Sequence, residues 1–184
     1  MTIGPDLDAR FRARAAEEHL LDVAYDFTDS PVGSLLLATT ERGLCRVSFD
    51  PEPERELDEL ARLHGTRVLR SAPPLDEARR ELHEYFERQR TTFDVRVDVA
   101  GLPAFQRQVL TELARVPYGE VATYGGLAAK IGKPRAARAV GGALNRNPIP
   151  IVLPCHRVVG ASGKLVGYAG GLERKRALLT LEGR

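Results

Sequence analysis

Hydrophobic and polar residues follow two different periods along the first hundred positions of the chain. Short runs rich in leucine and valine, separated by a turn, predict two strands, and apolar residues three or four positions apart predict helices. A segment in which polar and apolar residues alternate predicts a further, half-exposed strand. The predicted strands cover 34–39, 43–49 and 91–99, and the predicted helices cover 51–65 and 72–88. These elements indicate a small α+β unit, in which no group of residues has a pattern typical of a reactive site.

The pattern becomes mainly helical beyond residue 101. An amphipathic helix is predicted over 104–116, with its apolar side chains on one face. Two short helices follow, separated by a tight turn at Gly132-Lys133, and the second begins at Pro134. Two short helices joined by a glycine-containing turn are typical of a helix-turn-helix motif, although ordinary helical hairpins share that pattern. A short apolar strand is then predicted over 151–153.

Length and composition limit the class of protein. The chain has 184 residues, of which 43% are apolar and 28% are charged, so it can bury a core as one ordinary domain or two small ones. No apolar run has the length of a membrane-spanning helix, and the N-terminus lacks the apolar stretch of a secretory signal. We therefore expect a cytoplasmic protein without a membrane partner. The changes in pattern predict a leader over 1–21, an N-terminal domain over 22–100 and a C-terminal domain over 101–184.

Charge is distributed unevenly along the chain. Residues 1–100 carry 14 basic and 21 acidic side chains, a net charge of −7. Residues 101–184 carry 13 basic and 4 acidic side chains, a net charge of +9, and they include every lysine. A basic domain beside an acidic one is typical of a protein that meets a polyanion through one domain only. A solvated basic surface without a partner would have the same composition.

The second helix of the predicted helix-turn-helix is unusually rich in alanine and glycine. Glycine inside a helix costs about 1 kcal/mol relative to alanine, so two in succession, Gly141 and Gly142, need a reason. One reason is close packing against a neighbouring helix, and the other is the close approach of another surface. A smooth face with one long side chain, Arg138, suits the narrow groove of a nucleic acid.

The two cysteines are too few for a disulfide framework or an all-cysteine zinc site, and we expect both as free thiols. Cys45 lies in a strand-like segment, which favours a buried core thiol, whereas Cys155 lies between a proline and the only histidine of the basic part, His156. A catalytic thiol needs a base or a positive environment to lower its pKa from about 8.5. On a regular strand the two side chains would point to opposite faces, so the backbone must turn sharply or a water must join them.

The segment LPCHRVVG (153–160) resembles the active-site signature of the methylated-DNA–protein-cysteine methyltransferases, also called O6-alkylguanine-DNA alkyltransferases. The resemblance runs without a gap from about Phe105 to Gly183 and extends more loosely over 22–100. It implies an α+β fold, in which a small mixed α/β domain precedes a mainly helical domain with a winged helix-turn-helix motif. It also implies DNA repair by direct reversal. An O6-alkylguanine (chiefly O6-methylguanine, with O4-methylthymine as a further substrate) is flipped out of the duplex, and its alkyl group passes irreversibly to Cys155.

The resemblance implies roles for individual residues in the reaction. Cys155 would accept the alkyl group, His156 would act as a base on its thiol through a water, and Glu182 would orient the imidazole. Asn147 would brace the turn before the reactive cysteine. Tyr124 would hydrogen-bond the guanine and help to neutralise the leaving base.

Other residues would contact the DNA or line the pocket. Arg138 would enter the duplex and fill the space left by the extruded nucleotide, and a small-residue face would lie in the minor groove of double-stranded DNA. That face consists of Ala136, Ala137, Ala139, Gly141 and Gly142, with Tyr124 beside it. The pocket would contain Val158 at its floor, Tyr168 beside the base, and Ala169. Some family members have a serine where this chain has Ala169. The backbone N–H of Ala169 can still donate to the guanine oxygen, so we expect methyl transfer to survive. The resemblance does not extend to tolerance for bulkier alkyl groups.

The implied reaction consumes one protein molecule per alkyl group and needs no cofactor. No metal site is expected, since His19, His64 and His83 lack the spacing of metal ligands. We expect a monomer in solution that can assemble cooperatively on DNA. Three other functions share features with this sequence. A damage-sensing binding protein on the same fold would lack the acceptor cysteine, which is present here. The basic charge of residues 101–184 and the Gly/Ala-rich helix disfavour a thiol hydrolase, and a helix-turn-helix regulator would be indifferent to damage.

Overall fold

The computed structural model describes residues 20–184 continuously and, before them, Arg10, Arg14, Ala15 and Glu18. The leader predicted over 1–21 therefore lies largely outside the described residues. The chain divides into two compact units, the first comprising Met1–Glu84 and Asp94–Asp98 and the second comprising Tyr85–Phe93 and Val99–Arg184. Among the described residues, none of the helices combines the length and the apolar character that a bilayer crossing needs.

The first unit is built on a four-stranded sheet. Its elements in chain order are β1 (Val23–Thr28), β2 (Leu35–Thr40), β3 (Gly43–Phe49), α1 (Pro53–His64), β4 (Val68–Arg70), a one-turn 3-10 helix (Pro73–Leu75) and α2 (Asp76–Phe86). The strand order is β3-β2-β1-β4. The first three strands are antiparallel neighbours, whereas β4 pairs parallel with β1. A parallel pair needs a crossover connection, and α1 lies within it.

Both faces of this sheet are covered, which explains the nearly continuous apolar run in β2. On one face Leu36 and Ala38 pack with Cys45 and with Leu60 of α1. Leu35 and Leu37 alternate to the opposite face, where they too are fully buried. The predictions of strands at β2 and β3 and of the two helices are confirmed, and Cys45 is the core thiol that its segment predicted.

The strand predicted over 91–99 is wrong. This segment meets β3 only through a bridge between Leu44 and Val97. Exposed and more buried residues do alternate along the segment, but it does not join the sheet as a strand. The backbone N–H groups of Asp94 and Val95 donate instead to the carboxylate of Glu81, at 2.9 and 3.1 Å.

The second unit is mainly helical. Its elements are α3 (Ala104–Leu113), β5 (Ala122–Thr123), α4 (Tyr124–Lys130), α5 (Ala137–Asn145), a one-turn 3-10 helix (Cys155–Arg157), β6 (Val158–Val159) and α6 (Leu172–Leu181). The two short strands pair in parallel. Helix α3 packs against both α4 and α5. It also satisfies carbonyl groups at their ends, because Gln108 donates to the Ile131 carbonyl at 3.3 Å and Gln106 donates to the Arg146 carbonyl at 2.7 Å.

Helices α4 and α5 form the predicted pair with a glycine-containing turn. The Thr123 hydroxyl accepts the Gly126 N–H at 3.0 Å and so caps the start of α4. At the other end Gly132 has φ 73°, the left-handed conformation typical of a helix C-terminus, and Lys133 N–H reaches back to the Ala128 carbonyl at 2.8 Å. An α+β first unit and a helical second unit with this motif confirm the predicted fold class.

The strand predicted over 151–153 is also wrong, since these residues form a turn. Ile151 is fully buried and has φ 74°, a left-handed conformation that β-branched residues rarely adopt. Prolines at 148, 150 and 154 have no N–H to give to a neighbouring strand. This apolar run therefore cannot pair as a strand.

Candidate active site

Cys155 opens a one-turn 3-10 helix, Cys155–Arg157, immediately after Pro154. Its side chain is buried, and its N–H donates to the Leu153 carbonyl at 2.8 Å, which marks a very tight turn. The backbone thus bends sharply between the apolar turn and the cysteine. This bend removes the strand geometry in which Cys155 and His156 would point to opposite faces.

Asn147 holds the loop that leads to the cysteine. Its side-chain amide donates to the Leu153 carbonyl at 2.8 Å, and its side-chain oxygen accepts the Ile149 N–H at 3.1 Å. The same side chain also acts to lower the pKa of the Cys155 thiol. One buried amide therefore spans the loop that precedes Cys155.

The environment of Cys155 keeps its thiol protonated at neutral pH. Burial raises the pKa of Cys155 to about 11, although hydrogen bonds from Asn147 and Tyr168 and the positive charge of Lys175 act in the opposite direction. Because the thiolate is the nucleophilic form, a reaction at this sulfur requires a base.

His156 is the neighbouring base. It is fully buried, and burial lowers its pKa, so the imidazole is neutral at pH 7. Its Nε2 lies 2.9 Å from Oε1 of Glu182. Because Glu182 is ionised, Nε2 carries the ring proton and donates a hydrogen bond to the carboxylate. The other ring nitrogen, Nδ1, has no hydrogen-bond partner within the described part of the chain, so its lone pair is available to accept a proton.

Glu182 collects donors from four places. Burial raises its pKa, but hydrogen bonds from His156, Arg157 and Tyr85 outweigh that effect and lower the pKa to about 2. Arg157 donates through Nε and Nη2 at 2.9 Å, and Tyr85 donates through its hydroxyl at 2.7 Å. The Gly119 N–H adds a bond of 3.2 Å. A buried carboxylate with this many donors is fixed in both position and charge.

Lys175 is the second buried cation of the site. Its ammonium group donates to the carbonyls of Val158 at 2.6 Å, Val166 at 2.9 Å and Gly167 at 3.4 Å. Burial lowers its pKa, and the charge of Cys155 opposes that effect. The carbonyl of Val158, the residue that the resemblance places at the floor of the pocket, is thus already bound to Lys175. A carbonyl has a second lone pair and can accept another donor.

Two tyrosines lie beside Cys155. Tyr168 is half-buried, and its burial and the neighbouring Cys155 both raise its pKa. Burial also raises the pKa of Tyr124, and the nearby Cys155 adds to that effect. The Tyr124 hydroxyl donates to the Val166 carbonyl at 3.1 Å. Ala169 follows Tyr168 on the same loop and is exposed.

The residues assigned to DNA contact lie along the start of α5. Arg138 and Ala139 are exposed, whereas Ala136 and Ala137 are half-buried, as are Gly141 and Gly142. Arg138 makes no ion pair with any residue that the structure describes. A methyl group added at Gly141 would lie 3.7 Å from the Tyr124 ring, and one at Gly142 would lie 3.7 Å from the Arg146 guanidinium, both ordinary contacts. Packing within the unit therefore does not require glycine at either position.

Sequence reasoning missed three buried residues of the site. Lys175 had a usable signal, because it lies on the same helical face as the buried Leu178 and Leu179. Arg157 belongs to the signature segment, but the segment alone gives it no role. Tyr85 had no signal, since it is 97 residues away from the carboxylate that it binds. Among the described residues there is no group of three or more His, Cys, Asp or Glu side chains that could hold a metal ion.

Comparisons with known proteins cover both parts of the chain. Residues 104–184 match the family model "6-O-methylguanine DNA methyltransferase, DNA binding domain", and residues 23–99 match "6-O-methylguanine DNA methyltransferase, ribonuclease-like domain".

Curated relatives and solved structures give the same picture. The methylated-DNA–protein-cysteine methyltransferase of Methanosarcina acetivorans is 45% identical over 159 residues, 86% of this chain and 97% of the relative. That of Methanosarcina barkeri is 44% identical over 158 residues, 86% of this chain and 96% of the relative. The crystal structure of Mycobacterium tuberculosis OGT in complex with DNA is 44% identical and superposes with a TM-score of 0.75, covering 87% of this chain and 93% of that one.

Proposed function

The chain belongs to the methylated-DNA–protein-cysteine methyltransferase family, and we propose that it repairs DNA by moving the alkyl group of O6-alkylguanine onto Cys155. O6-methylguanine would be the chief substrate and O4-methylthymine a further one. The observation that carries the proposal is the buried thiol of Cys155, next in sequence to a neutral His156 whose Nε2 is bound to an ionised Glu182.

The first half of the reaction is the activation of the thiol. His156 Nδ1 takes the proton of Cys155 through one water, and the imidazolium that forms is stabilised by Glu182. The charge of Lys175 favours the thiolate. Asn147 and Tyr168 also act to lower the pKa of the thiol and so assist this step.

The second half is an in-line displacement at the alkyl carbon. The lone pair of the Cys155 sulfur forms the new S–C bond as the bond from the carbon to O6 of guanine breaks, and the electron pair of the broken bond stays with the base. The guanine anion takes up one proton, which balances the proton that His156 received from the thiol. Tyr124, whose raised pKa keeps its hydroxyl protonated, would turn its hydrogen bond from the Val166 carbonyl to the leaving guanine. The product is a thioether that water does not hydrolyse, so each protein molecule acts once and no cofactor takes part.

The alkylated base must leave the duplex before it can reach a buried sulfur, at a cost of a few kcal/mol. The second unit binds the DNA. We place the α5 residues 136–142 in the minor groove and Arg138 in the space that the extruded nucleotide leaves. Val158, Tyr168 and Ala169 would then line the pocket for the base. The protein would act as a monomer that can assemble cooperatively on the duplex.

The chemistry also indicates a compartment. Cys45 and Cys155 are both free cysteines, and the reaction requires Cys155 as a thiol. Because the cytosol keeps thiols reduced, we propose that the protein works in the cytoplasm.

Intact-mass measurement tests the proposal directly. The protein is mixed with a duplex that contains one O6-methylguanine, and the expected result is a gain of one methyl group per molecule, on the peptide that contains Cys155. The matched variants are Cys155→Ser, which should bind the duplex and gain nothing, and Cys45→Ser, which should react like the wild type. No gain by wild-type protein that binds the duplex would overturn the proposal in favour of a damage-binding protein.

A further inference from the structure

Tyr85 binds the same carboxylate oxygen as the imidazole of His156. Its hydroxyl donates to Oε1 of Glu182 at 2.7 Å, and His156 Nε2 lies 2.9 Å from that oxygen. Tyr85 is fully buried and belongs, with the following residues to Phe93, to the second compact unit. The Arg157 Nη2 also donates to this oxygen at 2.9 Å, so a neutral hydroxyl, a histidine N–H and a guanidinium share one oxygen atom.

The hydroxyl of Tyr85 is a permanent donor. Burial raises its pKa far above the usual value, and the charge of Glu182 raises it further, so this tyrosine stays protonated wherever the protein is folded. Each donor to a carboxylate draws some of its negative charge and weakens its attraction for the others. With Tyr85 bound, Glu182 attracts the proton of His156 less strongly than a carboxylate without this bond would.

The charged and titratable groups around this pair are few. His156 faces Glu182, Arg157 and Lys175. Tyr85 faces Glu182, Arg157, Tyr118 and Tyr168. The two cations oppose protonation of His156, and Glu182 favours it. Among these groups, Tyr85 and His156 itself are the neutral side chains that donate to Glu182.

We propose, on the basis of the function proposed above, that Tyr85 is a positioning residue for alkyl transfer. It fixes Oε1 of Glu182 and limits the attraction of that oxygen for the His156 proton, so that the imidazole stays neutral and its Nδ1 can accept the proton of the thiol. Tyr85 does not touch the sulfur or the base and acts through Glu182.

The aromatic packing around Tyr85 supplies a clean test. Its ring lies 5.4 Å from those of Phe86 and Phe93 and 6.0 Å from that of Tyr118. Tyr85→Phe keeps this packing and removes only the hydroxyl. Tyr118→Phe is the matched control, because it removes a hydroxyl from the same aromatic cluster. That hydroxyl donates to the Leu181 carbonyl at 3.0 Å and not to Glu182.

Two measurements are made on the full-length wild type and on both variants. The first is the NMR titration of the His156 ring nitrogens without substrate. The second is the single-turnover rate of transfer from an O6-methylguanine duplex between pH 5 and pH 8. Tyr85→Phe should raise the pKa of His156 and move the acid limb of the rate profile to higher pH. On the acid limb it should slow transfer roughly threefold to tenfold, with a smaller effect at pH 8. Tyr118→Phe should move neither.

A 3-fluorotyrosine placed at position 85 guards against a variant that fails to fold, because it keeps the ring and the hydroxyl. Its hydroxyl is a stronger donor, so the pKa of His156 and the acid limb should move in the opposite direction, to lower pH. If the substitutions at position 85 shift the titration and the rate profile no more than Tyr118→Phe does, Tyr85 only packs and the inference is overturned. Wild-type protein that transfers no methyl group would refute the proposed function alone, since the His156 titration needs no substrate.

Discussion

The hydroxyl of Tyr124 and the ammonium group of Lys175 bind the same carbonyl oxygen, that of Val166, at 3.1 and 2.9 Å. Tyr124 is the first residue of α4, and Lys175 lies in α6. Lys175 also reaches the Val158 carbonyl on β6. Side chains from two helices therefore hold the loop that carries Tyr168, and both are electrostatically coupled to Cys155.

Replacing Lys175 by methionine should reduce both stability and reactivity. The variant keeps an apolar stem of similar size but removes three hydrogen bonds and the charge that favours the thiolate. Since a hydrogen bond from a charged group contributes about 1.5–3 kcal/mol, we expect a loss of at least about 2 kcal/mol in the free energy of unfolding. Transfer from free O6-benzylguanine should slow by about tenfold or more. Urea unfolding and a single-turnover assay measure the two effects.

Lys164→Met is the matched control for that variant, because the Lys164 side chain is exposed on the same loop. It removes the same charge from the chain and should leave the free energy of unfolding within about 0.5 kcal/mol of the wild type. Equal reactivity of the two variants towards free O6-benzylguanine would refute a role for the buried ammonium group in the reaction.

The rate of transfer should depend on pH through His156. Its pKa lies below the usual 6.5, so the imidazole is in its basic form at neutral pH, and the rate should be level there and fall only below about pH 6.5. Stability should fall in the same direction. In the folded state the pKa values of both His156 and Glu182 are lowered. Their contributions to the free energy of unfolding are therefore fully present above the unfolded-state pKa values of 6.5 and 4.5. These contributions are lost as the pH falls through the folded-state pKa values, of which that of Glu182 is about 2.

Single-turnover rates and thermal unfolding over pH 4–8 check this prediction, with Cys155→Ser as the control for stability. That variant keeps His156 and Glu182 and should lose stability in acid as the wild type does. A rate that already declines between pH 8 and pH 7 would mean that the pKa of His156 is raised in the folded protein, contrary to the effect of its burial.

The sequence predicted the parts of the fold that depend on local pattern. Strands β2 and β3 and helices α1, α3, α4 and α5 follow from periodicity, prolines and glycines that lie within each segment. The failures at 91–99 and 151–153 have tertiary causes. In the first, the carboxylate of Glu81 takes the N–H groups of Asp94 and Val95. In the second, prolines and a left-handed Ile151 replace a strand by a turn.

The site shows the same division. The PCHR segment makes Cys155 and His156 candidates because they are adjacent in the chain. The buried partners of Glu182 come from positions 85, 119 and 157, and nothing in the sequence near residue 182 indicates that they meet. Folding brings them together, so only the three-dimensional structure could reveal a carboxylate with this many donors.

Arg138→Ala should slow the repair of duplex DNA much more than the reaction with free O6-benzylguanine. Arg138 is exposed on α5. Its proposed role is to fill the space that an extruded nucleotide leaves in the duplex, and the reaction with a free base creates no such space. We expect a loss of tenfold or more on the duplex, on the order of 1.4 kcal/mol, and almost none on the free base. Single-turnover rates on both substrates measure it.

Arg135→Ala is the control for charge, since Arg135 is also exposed and precedes α5. It should weaken binding to any duplex in a salt-dependent way, and saturating protein should restore its rate of repair. If Arg138→Ala loses the same factor on duplex and free base, the finger role is wrong.

Alanine at Gly141 and Gly142 separates the two explanations for the glycines of α5. An added methyl group meets only ordinary contacts at both positions, so the variants should fold and gain about 0.5–1 kcal/mol each from helix propensity. If the glycines allow the close approach of a DNA backbone, both variants should bind a duplex about tenfold more weakly while they react normally with free O6-benzylguanine. Gly125→Ala is the control, because its methyl group would meet no atom within 4 Å. Undiminished DNA binding by both α5 variants would exclude a close approach of the DNA backbone to these glycines. A loss of stability instead of a gain would mean that packing within the second unit requires glycine at these positions.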